Sequence, residues 1–267
     1  MENREFEEYM ELKLTQGLYE FMLTLDTISE KEKNNFTLLL ALSILFRLIF
    51  LFAIPNLSQD FYRFIWDGRM ILKGLNPYLY LPETFINQGN LPINQATDLY
   101  LGMGALNGSH YTNYPPINQL NFFIAALFTN SSIIGSIIVL RLQIILADIG
   151  IIYFGKKILE KLNIPIHHIF LYALNPFIII ELTGNLHFES VMLFFLVWSL
   201  YLLLQRKWIW AALIFGLSVS VKLIPLLFLP LFYQWFTKDK KTTGVLKFLS
   251  FSAIIIGLNV LLFLPFL

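Results

Sequence analysis

The sequence predicts an all-α protein, a polytopic transmembrane helical bundle. The chain has 267 residues, of which 57% are hydrophobic and only 14% are charged, whereas soluble domains carry about 25% charged residues. Several apolar runs approach the ~20 residues that a helix needs to cross a bilayer. Polar residues instead gather in one long loop and a few short breaks. We therefore expect the lipid bilayer to be the first partner of this chain.

The composition also excludes several classes of function. The chain has no cysteine, which rules out disulfides, thiolate metal sites and cysteine nucleophiles. Its net charge of +1 gives no indication of nucleic-acid binding, and we expect none. The first 35 residues are charged and lack the apolar core of a cleavable signal peptide.

Two regions follow from the hydrophobic pattern, an N-terminal segment over residues 1–35 and a transmembrane domain over residues 36–267. Apolar residues recur at helical spacing in the first region, with glutamates between them: Phe6, Met10, Leu14, Leu18, Met22 and Leu25. This pattern predicts an amphipathic helix that lies on the membrane face or docks on a partner. A solvated tail helix fits the pattern equally well.

Six apolar runs are expected to form the bundle, at 36–54, 132–154, 166–182, 187–204, 208–236 and 245–267. Residues 117–129 would span only about 20 Å as a helix, so they form either a tilted or a re-entrant half-helix. Arg47 lies inside the first run, where a charge normally faces the bundle or water, or snorkels to the interface. Arg141 and Asp148 share one helix face and are expected to pair with each other or with other helices.

Residues 55–115 form a polar loop that is too long to be a mere connector. Within it, FYRFIWDGRMILKG has the periodicity of a helix, and Gly74 and Pro77 can end that helix. We therefore predict short helices inside this loop.

Basic loops predict the orientation, because they mark the cytoplasmic side. They lie at Lys156, Lys157 and Lys161, at Arg206 and Lys207, and at Lys238, Lys240, Lys241 and Lys247. This arrangement places the N-terminus in the cytoplasm. The loop 55–115, the turn 181–189 and Lys222 are then expected on the extracytoplasmic face.

The first cluster of residues that could carry out chemistry consists of Asp60, Arg63, Asp67 and Arg69. The spacing of the first three allows them to share a helix face. A carboxylate at a membrane surface suits general-base work, and the arginine fork binds phosphate bidentately. A solvated loop with ion pairs four residues apart is the alternative interpretation.

The second constellation is Gly184, Asn185, His187 and Glu189, set between two apolar runs. A polar cluster in such a place favours a water-filled site. His187 and Glu189 could bind a phosphate and a hydroxyl, or a metal, although two possible ligands two residues apart are weak metal evidence.

Lys222 is the third candidate, because it interrupts an apolar run three residues before Pro225. Pairing with a lipid phosphate would justify a lysine there, and snorkelling is the alternative. Turns or helix starts are indicated at Asn76–Pro77, at Asn175–Pro176 and at Tyr114–Pro115–Pro116. The first and third of these can also shape a pocket.

At these residues the sequence resembles the GT-C superfamily of integral-membrane glycosyltransferases. It is most similar to the bacterial polyprenyl-phosphate-mannose-dependent mannosyltransferases. The resemblance rests on SQDFYRFIWDGRMILKGLNPYLYLP, NYPPINQL, GNLHFESVMLFFLVWSLYLL and AALIFGLSVSVKLIPLLFLPL, which occur in the family's order. It covers roughly residues 40–236.

The resemblance implies a GT-C-like fold in the bacterial inner membrane, with an active site on the extracytoplasmic face. It also implies an inverting transfer of a hexose, expected to be mannose, from a polyprenyl-phosphate donor to a glycan or glycolipid acceptor, without a metal or other cofactor. Asp60 matches the family's catalytic acid, the expected general base. Family members often carry two adjacent acids there, and here the first position is Gln59.

Further roles follow for the other candidates under this hypothesis. Arg63, His187 and Lys222 would neutralise the departing lipid phosphate, and Asp67 and Glu189 would hold sugar hydroxyls. Arg69, Asn76 and Tyr114 complete the set of expected substrate-binding residues.

Two other classes of function remain open at this level. Broken helices and intramembrane charges also occur in transporters, so a transporter or flippase for a lipid-linked or anionic substrate is one alternative. Family members are typically longer, with further spans after the last one here. An inactive truncated homologue or assembly subunit is therefore the other alternative.

Overall fold

The computed structural model describes residues 36–238 and 241–267, and the regular structure within them is helical. The predicted amphipathic segment 1–35 lies outside the described residues. The elements of the first half are α1 (Phe36–Ile49), α2 (Asp60–Leu72), α3 (Pro82–Asn87), α4 (Ala96–Gly108), α5 (Pro116–Phe128) and α6 (Ile133–Lys161).

The second half contains shorter and more irregular helices. A 3-10 turn (Ile166–Ile169) leads into α7 (Phe170–Ala173), and α8 (Pro176–Ile178) continues as a π-helical turn (Ile179–Gly184). Then come α9 (Glu189–Leu204), α10 (Trp208–Val219), a 3-10 turn (Ile224–Phe228), α11 (Leu229–Thr237), α12 (Lys241–Phe263) and a last 3-10 turn (Leu264–Phe266).

Two helical stretches in the described part of the chain are long and apolar enough to cross a membrane, Ile133–Lys161 and Thr242–Phe266. The pieces Ile166–Ala173 and Pro176–Gly184 make a third if they count as one span bent by 49°. The other apolar helices are shorter, including α5, which sequence alone had left as a half-helix. The described residues thus contain two or three helical stretches that could cross a membrane, together with shorter apolar helices.

The prediction of one continuous helix over 36–54 is wrong at its C-terminal end, because α1 stops at Ile49. The carbonyl oxygens of Leu51 and Ala53 instead accept hydrogen bonds from the Arg141 guanidinium, at 3.1 and 2.7 Å. Pro55, four residues after Leu51, also has no N–H with which to continue the helix.

The run 166–182 is not one straight helix either, since it bends at Asn175–Pro176. The Asn175 side chain accepts a hydrogen bond from the Phe177 N–H at 3.0 Å and so caps a new helix start. Pro176 has no N–H to continue the preceding helix. The helix start that the sequence indicated at this pair is confirmed.

Buried charges join the first helix to the bundle. Arg47 and Asp148 form an ion pair of 2.6 Å, with side chains 1% and 0% exposed. The Tyr172 hydroxyl donates to the same carboxylate at 2.7 Å, and Arg47 also donates to the Ala173 carbonyl at 2.7 Å. Arg47 therefore faces the bundle, and Asp148 pairs with another helix rather than with Arg141.

The loop 55–115 folds into the predicted short helices, α2, α3 and α4, which cover one end of the bundle. Helix α2 packs closely on α5, where Phe64 stacks on Phe122 with ring centroids 4.5 Å apart. Gly68 permits this approach, because a Cβ there would lie 2.1 Å from the Phe122 carbonyl oxygen. The contact fixes the first residue of α2 relative to the start of α5.

Candidate active site

A cavity of about 560 Å³ lies where the long loop, the start of α5, the turn before α9 and the segment after α10 meet. Predicted site residues that line it are Asp60, Tyr114, His187, Glu189 and Lys222. These positions are far apart in sequence, so their convergence is a property of the fold. Arg63, Asp67, Arg69 and Asn76 do not line this cavity.

Asp60 is the first residue of α2 and is partly exposed to the cavity. The positive end of a helix dipole favours a carboxylate at this position. The Asn107 side-chain amide donates to the carboxylate at 3.2 Å, and the Asp60 N–H donates to the Ser58 hydroxyl at 3.3 Å. The Asn107 contact holds the Asp60 carboxylate at the lining of the cavity.

Tyr114 faces the same cavity beside Asp60. Burial raises the pKa of its phenol well above the usual range, and the negative charges of Asp60 and Asp67 raise it further. The phenol therefore stays protonated at neutral pH and can donate a hydrogen bond next to the carboxylate.

The turn before α9 brings His187 to the cavity. Its Nδ1 lies 3.4 Å from a Glu181 carboxylate oxygen, which also accepts a hydrogen bond from Asn185 at 3.2 Å. Arg141 fixes the backbone before this turn, because its guanidinium donates to the carbonyls of Thr183 and Gly184 at 2.9 and 3.0 Å. The sequence analysis considered Arg141 as a partner for other helices and Glu181 as the first residue of the turn 181–189. It predicted a role at the site for neither.

Lys222 and Glu189 form an ion pair at the cavity wall, with side chains 46% and 29% exposed. The start of α5 positions this lysine. The Ile117 N–H donates to the Ser220 carbonyl at 3.1 Å, and the Asn118 amide donates to the Val221 carbonyl at 2.8 Å. The proline-led helix start is therefore bonded to the segment that carries the cation.

Asn118 is a lining residue that sequence reasoning missed. It is 4% exposed, and its Oδ1 has no hydrogen-bond partner within the described part of the chain. Buried polar atoms are nearly always paired, so this acceptor is suited to a ligand hydroxyl. Asn118 lies within NYPPINQL, one of the stretches on which the family resemblance rests. That stretch was the sequence signal that could have indicated this residue.

Arg63 and Asp67 form a buried pair beneath the site, at 2.8 Å, with exposures of 4% and 0%. Arg63 also donates to the carbonyls of Asn107 and His110 at 2.7 and 2.8 Å. Gln119 donates to Asp67 at 3.1 Å. The structure thus places both side chains in the support of α2 rather than at the cavity surface.

Arg69 and Asn76 lie further away. Arg69 donates to the Asn94 carbonyl at 2.7 Å, and burial lowers the pKa of its guanidinium to about 10. The Asn76 amide donates to the Phe266 carbonyl at 2.7 Å, which ties the long loop to the last turn of the chain.

No group of three His, Asp or Glu side chains in residues 36–238 and 241–267 lies close enough together to hold a metal ion. His187 and Glu189 consequently have no third ligand of these types among those residues. Lys222 brings a positive charge to the cavity, where it pairs with Glu189.

The helical fold of the described residues, with its apolar helices and polar cavity, is consistent with a GT-C-like membrane protein. The chain belongs to the family described as "Alpha-(1->6)-mannopyranosyltransferase, N-terminal domain", whose model matches residues 18–238. Alpha-(1->6)-mannopyranosyltransferase A of Corynebacterium glutamicum is 24% identical over 191 residues, which cover 69% of this chain and 36% of the relative. The chain thus spans about a third of the length of that relative. No solved structure matches the chain.

Proposed function

We propose that this chain takes part in transfer of mannose from a polyprenyl-phosphate donor to an acceptor hydroxyl, with inversion at the anomeric carbon. The observation that carries the proposal is that Asp60, His187, Glu189 and Lys222 line one cavity. A general base and a phosphate-binding cation are the groups that this reaction requires. Membership of the mannosyltransferase family supports the choice of sugar.

In the proposed reaction Asp60 accepts the proton of the acceptor hydroxyl. That oxygen attacks the anomeric carbon, the carbon–oxygen bond to the lipid phosphate breaks, and its electron pair leaves with the phosphate. Lys222 and His187 offset the charge that develops on the phosphate, so the proposal needs no metal. Glu189 and the unpaired Oδ1 of Asn118 hold sugar hydroxyls.

The buried position of Arg63 changes its proposed role. Its Nε and Nη1 donate to Asp67 and two carbonyls, and the side chain does not line the cavity. In the proposal Arg63 and Asp67 therefore position α2, while Lys222 and His187 act on the phosphate. We also propose an acceptor with a free 6-hydroxyl on mannose, because the family is named for an α-(1→6) linkage.

The test compares Asp60→Asn with Asp98→Asn, a matched change at an exposed acid in α4 of the same loop. Membranes that contain each variant are supplied with radiolabelled polyprenyl-phosphate mannose and a short mannoside acceptor. We expect loss of general-base catalysis to lower transfer by about 10²–10⁴-fold in Asp60→Asn and no loss in Asp98→Asn. Full transfer by Asp60→Asn, or none by the unaltered chain, would contradict the proposal.

A further inference from the structure

A second cavity, of about 400 Å³, lies at the other end of the helices that border the candidate active site. Helix α9 begins at Glu189 beside that site and ends at Leu204, so it carries the chain roughly 24 Å away. Helix α10 starts there at Trp208 and runs back. The second cavity is lined by Leu203, Arg206, Trp208, Trp235, Phe236, Lys238 and Lys247.

The lining of this cavity combines positive charge with aromatic rings. Arg206 comes from the α9–α10 connection, Lys238 from the end of α11 and Lys247 from α12. None of the lining residues within 36–238 and 241–267 is acidic. Trp208 and Trp235 are the residue type that collects at membrane–water interfaces. The cavity therefore combines cations from three separate parts of the chain with the aromatic residues that are typical of a membrane–water interface.

An apolar groove of about 780 Å³ adjoins this cavity and shares Arg206 and Trp208 with it. Trp198, Leu202, Ile209, Trp210, Leu213 and Ile214 of α9 and α10 line the rest of it, with Lys207 from the connection between them. A ligand with a phosphate in the basic cavity would thus find an apolar surface directly beside that phosphate. A free phosphate ion would use only the first of these two features.

We propose that the basic cavity and the adjoining apolar groove form a binding site for an anionic phospholipid, separate from the candidate active site. Arg206, Lys238 and Lys247 hold the phosphate of the headgroup, and an acyl chain lies along the groove. Basic pockets between membrane helices bind anionic headgroups, and the arginine fork matches phosphate oxygens. The charge of the basic cavity favours such a lipid over a zwitterionic one, and the adjoining groove favours a lipid over a free phosphate ion.

The experiment measures lipid retention by the delipidated full chain in detergent, by native mass spectrometry. Phosphatidylglycerol, phosphatidylcholine and inorganic phosphate are titrated separately. The test variant is Arg206→Gln/Lys238→Gln/Lys247→Gln. Its matched control is Lys156→Gln/Lys157→Gln/Lys161→Gln, which removes the same charge from the end of α6, outside the cavity.

We expect phosphatidylglycerol to bind about tenfold more tightly than phosphatidylcholine, and the test variant to lose that preference. The control variant should keep it, and inorganic phosphate should not displace the lipid. Equal binding of the two lipids, equal loss in both variants, or displacement by inorganic phosphate would each overturn the proposal. Size-exclusion profiles and melting temperatures of both variants should match the unaltered chain, because the substituted side chains are exposed or half-exposed.

Discussion

The side-chain amide of Asn118 donates a 2.8 Å hydrogen bond to the carbonyl of Val221, a residue 103 positions later in the chain. Lys222 follows Val221 directly, so the start of α5 fixes the segment that carries the cation of the candidate site. The other side-chain atom of Asn118, Oδ1, is buried without a partner among the described residues and lines the same cavity. One residue thus positions a charge and offers an acceptor.

Substitution of Asn118 by Ala should therefore affect both stability and transfer. It leaves the Val221 carbonyl without its donor, which costs about 1–3 kcal/mol of unfolding free energy. It also removes the free acceptor, so we expect a higher KM for the sugar donor. The control is Asn121→Ala, a residue of the same helix whose amide bonds to Ile117 and which does not line the cavity. An unchanged KM in Asn118→Ala would contradict the role in binding.

Lys222→Met should separate the catalytic role of this lysine from a structural one. The Lys222–Glu189 pair is partly exposed, and exposed pairs contribute only about 0–1 kcal/mol to stability. The melting temperature should therefore stay near that of the unaltered chain. Transfer should fall by about 10²-fold, because a charge that stabilises the departing phosphate is lost. Lys222→Arg should restore part of the transfer, and equal transfer by all three forms would exclude the role.

Arg141 should be required for the shape of the turn before α9. Its guanidinium donates to the carbonyls of Leu51, Ala53, Thr183 and Gly184. Arg141→Met leaves the buried carbonyls of Thr183 and Gly184 unpaired, each at about 1–3 kcal/mol. We therefore expect a loss of at least about 2 kcal/mol of unfolding free energy and faster hydrogen exchange over residues 179–189. The stability of Arg141→Lys should lie between that of the unaltered chain and that of Arg141→Met, since an ammonium cannot reproduce the planar guanidinium fork. Unchanged exchange in Arg141→Met would show that the turn does not depend on this side chain.

Gly68→Ala should destabilise the packing of α2 on α5. The new Cβ would lie 2.1 Å from the Phe122 carbonyl oxygen, and backbone atoms cannot move aside as a flexible side chain can. Overpacking of this kind costs about 1–3 kcal/mol, which thermal or denaturant unfolding in detergent would measure. Gly257→Ala is the control, because a Cβ there has nothing within 4 Å and alanine favours the helix interior by up to about 1 kcal/mol. A stability of Gly68→Ala equal to the unaltered chain would contradict the close approach.

Sequence by itself determined the features that depend on local periodicity and turn chemistry. The helix of the FYRFIWDGRMILKG stretch is observed as α2, because its apolar spacing and the breakers that follow act within a few residues. The break of the run 208–236 near Lys222 and Pro225 and the new helix start at Pro176 were predictable for the same reason. The membrane class followed from composition, which no long-range contact alters.

Only the tertiary structure decided which polar side chains share the cavity. Asp60 and Asp67 lie on one face of α2, yet they are about 10 Å apart along its axis. The start of α5 covers Asp67 through Gln119, while Asp60, at the free end, opens into the cavity. The partners of Arg47, Arg141 and Asn118 lie up to 126 residues away, and such pairings depend on packing between helices that a single sequence does not encode in any local pattern.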